Sequence, residues 1–276
     1  MIFVRKEWKK FCRKLKNDGH YSITASQVTK DTAENYLVLK HDVETNVKKA
    51  FKIAKIENDF GHCGSYYVQA YLLKNSKNVA LLSKMREMGH EISYHYDVMD
   101  SNRGDIQKAV EEFELNKQMF EKFGFEISTV CQHGNPVVNR VGYTSNRDFF
   151  RNENVQKRYA GISDIMVNFQ KDRNTEYRYY SDAGRKFNFI YDPINNDVCK
   201  SDDKNIAYQN LEALYSELVA HNSIISIHPH RWESNAVTYW CKNAMFQCIR
   251  FAAKLAMKIP FLKKIMSKYY FLAKKI

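Results

Sequence analysis

Apolar residues recur along this chain in two alternating rhythms. Over 5–17, Trp8, Phe11, Cys12 and Leu15 fall on one side of an amphipathic helix, and the polar stretch 21–34 reads as a loop with a short helix. The run Leu37-Val38-Leu39-Lys40-His41-Asp42-Val43 is of strand type, and Thr45 or Asn46 can cap a helix whose Val47, Ala50, Phe51 and Ala54 recur at i, i+3, i+4 and i+7. A second strand is predicted over 64–69, then a helix over 77–88 stopped by Gly89, and a third strand over 91–97. A helix over 104–123 carries Ile106, Ala109, Val110 and Phe113 as its apolar stripe and ends at Gly124. A fourth strand, 128–134, leads into a weakly patterned stretch, 135–161. Short strands are expected at 164–169, 177–182 and 187–191, followed by a helix marked by Leu211, Leu214, Tyr215 and Leu218 and a last strand over 223–230. Strands alternating with helices call for parallel β-α units. About seven of them point to an α/β fold closed, or nearly closed, into a barrel. An open doubly wound sheet is the alternative, but no Gly-x-Gly-x-x-Gly turn supports a dinucleotide site.

Charge divides the chain. The net charge is +12, yet from Ser234 to Ile276 there are nine Lys/Arg and no Asp/Glu, so the basic character belongs to the tail. Arg250, Lys254 and Lys258 fall at i, i+4 and i+8. After Pro260, Lys264 and Lys268 oppose Phe261, Ile265 and Tyr269. Basic amphipathic helices without acids suit an anionic membrane surface. The expectation is a domain over 1–232 followed by a basic amphipathic helical tail over 233–276. A nucleic-acid partner is not expected, because no recognition motif accompanies the charge. Six scattered cysteines without a framework spacing, and no apolar leader or membrane-length run, suggest a cytoplasmic protein lying peripherally on the inner face of the cell membrane.

Four predicted strand ends carry polar residues on one face: Asp42 with Glu44, His95 with Asp97, His133, and His228 with His230. In a parallel barrel such ends converge on one mouth. Carboxylates and imidazoles together suit a zinc-like ion, or an acid and a base on opposite sides of a substrate. Taken singly, each histidine could equally hydrogen-bond a backbone carbonyl.

Lys40-His41-Asp42-Val43-Glu44, Gly89-His90-Glu91-Ile92-Ser93-Tyr94-His95-Tyr96, Tyr179-Tyr180-Ser181-Asp182 and Ile227-His228-Pro229-His230-Arg231-Trp232 together resemble the motifs of polysaccharide deacetylases of the carbohydrate esterase family 4 type, in order and spacing over about 36–232. The resemblance implies a distorted (β/α)7 TIM-like barrel and metal-dependent removal of N-acetyl groups from saccharides, including lipid-linked ones of surface polysaccharide (lipopolysaccharide) synthesis. It implies Asp42 as catalytic base, His228 as general acid and Asp182 as the residue orienting that acid. Glu44 and His95 become ligands of a divalent metal, with zinc the expected ion, and Tyr94, Asn135, His230 and Trp232 become candidates for substrate contact. Three positions depart from the pattern. The second metal histidine is replaced by Met99, a poor ligand for such an ion, which leaves Asp97 or His133, and more weakly Asp100, to complete the set. Glu44 stands where Asp is usual, and Gln132-His133-Gly134-Asn135-Pro136 lacks the usual arginine. A metal-free, inactive carbohydrate-binding relative is the rival expectation.

Overall fold

The computed structural model describes residues 3–135, 138, 140–183, 187–190 and 207–256. Among the described residues, ten strands form one sheet: β1 (Ser22–Ile23), β2 (Leu37–Val43), β3 (Gly64–Val68), β4 (Glu91–Tyr96), β5 (Thr129–Gln132), β6 (Ser163–Asp164), β7 (Arg178–Ser181), β8 (Phe187–Ile190), β9 (Ala207–Tyr208) and β10 (Ser223–Ile227). Their order is β6-β5-β4-β3-β2-β10-β7-β8-β9. The seven strands from β6 to β7 are parallel throughout, and β8 and β9 continue the sheet antiparallel. This is the parallel, curled sheet of a distorted TIM-like barrel. Among the described residues no pairing joins β6 to β7, so hydrogen bonding does not close the barrel along that seam.

β1 and β3 share one edge of β2. Ser22 and Ile23 pair with Leu37 and Val38, and Gly64 then takes over opposite Leu39. Glycine is required there, because a Cβ on Gly64 would lie 2.9 Å from both the Leu39 carbonyl oxygen and His41 Nε2. β2 is buried along its whole length, and its alternation sorts two environments. Leu37, Leu39 and Val43 face the surrounding helices, whereas Val38 joins Tyr67, Cys131, Ile165, Tyr179 and Ile224 inside the curl.

The helices α1 (Arg5–Asn17), α2 (Val47–Asp59), α3 (Ser76–Glu87), α5 (Ile106–Lys122) and α9 (Leu211–Ala220) follow the predicted periodicity. Asn46 caps α2 by accepting the Lys49 N–H, and Gly89 and Gly124 follow the ends of α3 and α5 with φ of +89° and +76°. Short helices α4 (Val98–Ser101), α6 (Asp148–Arg151), α7 (Glu153–Arg158) and α8 (Phe169–Arg173) fill the connections, and α10 (Ala236–Ala256) follows β10. Behind β2, Glu57 of α2 is fully buried; it accepts from Trp8 Nε1 at 2.9 Å and Tyr66 Oη at 2.6 Å and lies 3.0 Å from His41 Nε2. This hub ties α1, α2, β2 and β3 together. Burial alone would raise the Glu57 carboxyl, but His41 and the hydrogen bonds outweigh it and keep it below the usual range.

Two expectations need correction. Of the strand expected at 164–169, only Ser163–Asp164 pairs. Asp164 Oδ1 accepts the Met166 N–H at 2.6 Å and Asn168 Oδ1 accepts the Asp164 N–H at 2.7 Å, so side chains capture the backbone into a turn. The last strand stops at Ile227, since Pro229 opens a 3₁₀ turn over Pro229–Arg231. Within 135–161, Phe149 and Phe150 are fully buried against Tyr96 and Phe113, a packed segment that the pattern had left irregular. Tyr191, expected to end β8, lies outside the described residues.

Candidate active site

The inward face of β2 carries Lys40 and then Asp42, two residues apart and therefore on one side. The ammonium of the fully buried Lys40 lies 2.5 Å from Asp42 Oδ1 and 3.2 Å from Ser226 Oγ on the neighbouring β10. Burial would raise the Asp42 carboxyl, but Lys40, with His95 and His228, holds it at about 2. Asp42 is thus a carboxylate at neutral pH, while Lys40 stays protonated, its salt bridge outweighing its own desolvation.

Across the mouth, His228 follows β10 and is fixed by Asp182 at the end of β7. Asp182 Oδ1 accepts from His228 Nδ1 at 2.5 Å and Oδ2 accepts the His228 backbone N–H at 3.0 Å. Arg231 Nη1 and Trp232 Nε1 donate to the same carboxylate at 3.1 and 3.3 Å. Despite complete burial, His228 and Arg231 keep Asp182 well below the usual range. With Nδ1 held by Asp182, the other ring nitrogen of His228 points to the mouth, 3.7 Å from Asp42 Oδ2 and 3.9 Å from Glu44 Oε1. An oriented imidazole beside an ionised carboxylate is an acid-base pair in position.

Glu44 just after β2, His95 on β4 and His133 just after β5 bring one carboxylate oxygen and two imidazole nitrogens within 4.8 Å of one another. His133 Nε2 lies 3.3 Å from Glu44 Oε1. His95 Nδ1 donates to the Cys131 carbonyl at 3.0 Å, which turns Nε2 to the cavity and fixes the ring as metal-binding imidazoles require. Burial pushes His95 down to about 3, against the pull of Asp42, so it is neutral as a ligand must be. A second group, Asp42, His95 and Cys131, is equally close, but Asp42 Oδ1 is engaged by Lys40 and burial pushes the Cys131 thiol up. The first group is therefore the better cradle for a divalent ion.

Asp42, Glu44, His95, His133, Asp182, His228 and the half-buried His230 converge on the mouth; the His230 ring lies 5.9 Å from that of His228. Others do not. Tyr94, named as a substrate contact, faces the helices because it neighbours His95 on a strand; it packs on Phe113 and Phe120 and accepts from Asn116. Trp232, also named, is fully buried on the outer side between Phe3 and Trp8, and its Nε1 donates to Asp182. Asp97 precedes α4 and belongs to neither metal-competent group. Met99 packs in the apolar cluster, and Asp100 receives Arg140, Tyr143 and Asn146, anchoring the loop after β5. Asn135 is part of that loop, its carbonyl accepting from Arg140. Lys40 joins the site without any motif role; its i−2 position from Asp42, after the apolar run Leu37-Val38-Leu39, is the signal that marks it as a buried counter-ion. In the tail, Arg250 and Lys254 belong to α10, whereas Lys258, Lys264 and Lys268 lie outside the described residues.

No family model matches the chain, and no curated protein does. Among solved structures it is similar to the catalytic domain of a peptidoglycan N-acetylglucosamine deacetylase from Eubacterium rectale, at 11% identity and a TM-score of 0.44, over 75% of this chain and 82% of that one. It is also similar to a peptidoglycan deacetylase from Bdellovibrio bacteriovorus, at 11% identity and a TM-score of 0.36, over 82% of this chain and 53% of that one. Both TM-scores lie below 0.5, so what the mouth can do is decided by its own side chains.

Proposed function

We propose that this protein hydrolyses the amide of an N-acetylated saccharide, releasing acetate and a free amino sugar. The observation that carries the reading is the pairing of Asp42, ionised by buried Lys40, with His228, oriented by Asp182, beside the cradle of Glu44, His95 and His133. A divalent ion held by that cradle would supply polarisation of the amide carbonyl and acidification of water; zinc suits two imidazoles and a carboxylate. Asp42 accepts the proton of the attacking water as the new C–O bond forms. His228 gives its Nε2 proton to the departing nitrogen as the C–N bond breaks, leaving an amine and a carboxylic acid. Asp182 keeps Nδ1 engaged throughout, so the proton leaves from the nitrogen that faces the substrate. The saccharide part of the reading is supported by the motif resemblance and includes lipid-linked saccharides of surface polysaccharide synthesis.

Metal content and acetate release test this together. Purified wild type should hold one equivalent of zinc and release acetate from N-acetylated oligosaccharides, soluble or lipid-linked. Glu44→Gln, His95→Ala and His133→Ala should lose the metal. Asp42→Asn and His228→Ala should keep it and lose at least about 10²-fold in kcat, the scale of a positioned acid or base. Wild type without bound metal, yet still binding saccharide, would favour the inactive carbohydrate-binding alternative.

A further inference from the structure

α10 leaves the protein at the rim of the mouth. Its root is firmly held: Tyr239 is buried against Phe3, and Lys242 meets Glu233 at 3.2 Å. Glu233 also binds Lys49 at 2.6 Å, and Lys49 donates at 2.6 Å to the carbonyl of His230, a mouth residue. Beyond that root the helix exposes apolar side chains, Met245 and Phe246 among them, and most fall along one stripe. Val237, Trp240, Ala244, Cys248 and Phe251 fall at i, i+3, i+7, i+11 and i+14, and all five are exposed, with Val237, Trp240 and Phe251 at 73%, 55% and 68%. Large apolar side chains aligned on one face of a helix mark a surface that another phase or protein covers. Charge decides which: after Glu233 the chain has nine Lys/Arg and no Asp/Glu. A second copy of this chain would set like charge against like charge, whereas an anionic bilayer complements both the stripe and the charge. No described helix is long and apolar enough to cross a membrane, so the contact is interfacial.

We propose that the Val237-Trp240-Phe251 face of α10 docks on an anionic lipid surface and, being rooted at the rim, holds the mouth next to that surface. The proposal does not depend on the deacetylase reading. The full chain supplies its own probe, because Trp8 and Trp232 are buried and Trp240 is the exposed member of the three tryptophans. With vesicles of phosphatidylcholine containing roughly one-third phosphatidylglycerol, the protein should co-sediment, and its fluorescence should shift to the blue as Trp240 enters the interface. Binding should weaken about tenfold or more between ~0.1 and ~0.5 M salt, and on pure phosphatidylcholine. Trp240→Glu with Phe251→Glu changes only exposed positions; it should keep the wild-type thermal midpoint and lose binding at least about tenfold. Failure of wild type to bind anionic vesicles, or binding unchanged in the double variant, would overturn the proposal. So would a dimer in sedimentation velocity that the double variant dissolves in the absence of lipid affinity.

Discussion

Removing the ammonium of Lys40 would leave Asp42 as a buried, uncompensated carboxylate. The pair is 2.5 Å apart, with the lysine fully buried and the aspartate nearly so. Breaking such a pair from one side costs about 3–5 kcal/mol, because the orphaned charge keeps its desolvation penalty. Lys40→Met is therefore expected to lose about that much stability in chemical denaturation at neutral pH. The double variant Lys40→Met with Asp42→Asn should regain most of it, since no charge then remains to be solvated. If the two losses simply add, the ion pair is not what holds this part of the sheet. Lys40 thus brings a positive charge to Asp42 from its own strand, two residues before it.

At the scale of elements, Glu57 does for the outer side of β2 what Lys40 does for the inner. Trp8 and Tyr66 donate to it, and His41, next to Asp42, lies 3.0 Å away. In Glu57→Gln an amide N–H must face a donor or lose one, so a destabilisation of about 3 kcal/mol at pH 7 is expected. The pH dependence follows from the sign of the shift. Glu57 is held below its ordinary value, so its stabilisation is full above the usual carboxylate range and fades as pH falls through and below it. Wild type and Glu57→Gln should thus converge in acid. Parallel denaturation curves at pH 7 and pH 4 check this, and a gap that widens in acid would refute it. The elements around this hub were legible in the sequence, because period-2 and period-3.6 patterns dominate where both faces of a strand are covered. β6 was overextended because Ile165, Met166 and Phe169 are apolar for the core although the backbone there is held by Asp164 and Asn168. The pattern over 135–161 is weak because its order comes from contacts distant in sequence, with Asp100 gathering Arg140, Tyr143 and Asn146. Trp232 was misplaced for a related reason: the 3₁₀ turn after Pro229 carries it out of the mouth and into the outer core.

For the whole molecule, the mouth is where the curl of the sheet becomes testable without measuring any reaction. Strand alternation placed Asp42, His95, His133 and His228 on one side, but choosing His133 rather than Asp97 or Asp100 required knowing how far the sheet curls. Glu44, His95 and His133 sit on or just beyond the ends of β2, β4 and β5, with β3 between the first two. An ion bound by all three would therefore span four adjacent strands of the sheet, a site that the unfolded chain does not assemble. Such binding adds RT ln(1 + [L]/Kd) to stability, about 2.7 kcal/mol at a hundredfold excess over Kd. For a domain of this size that corresponds to a rise of roughly 5 °C or more in thermal midpoint. Added zinc should raise the midpoint of chelator-treated wild type by that order. It should leave His133→Ala and Glu44→Gln nearly unmoved, and it should act fully on Asp42→Asn, whose side chain is reserved for Lys40. An undiminished shift in His133→Ala, together with its loss in Asp42→Asn, would move the ion to the deeper group of Asp42, His95 and Cys131. The base would then have to be sought elsewhere.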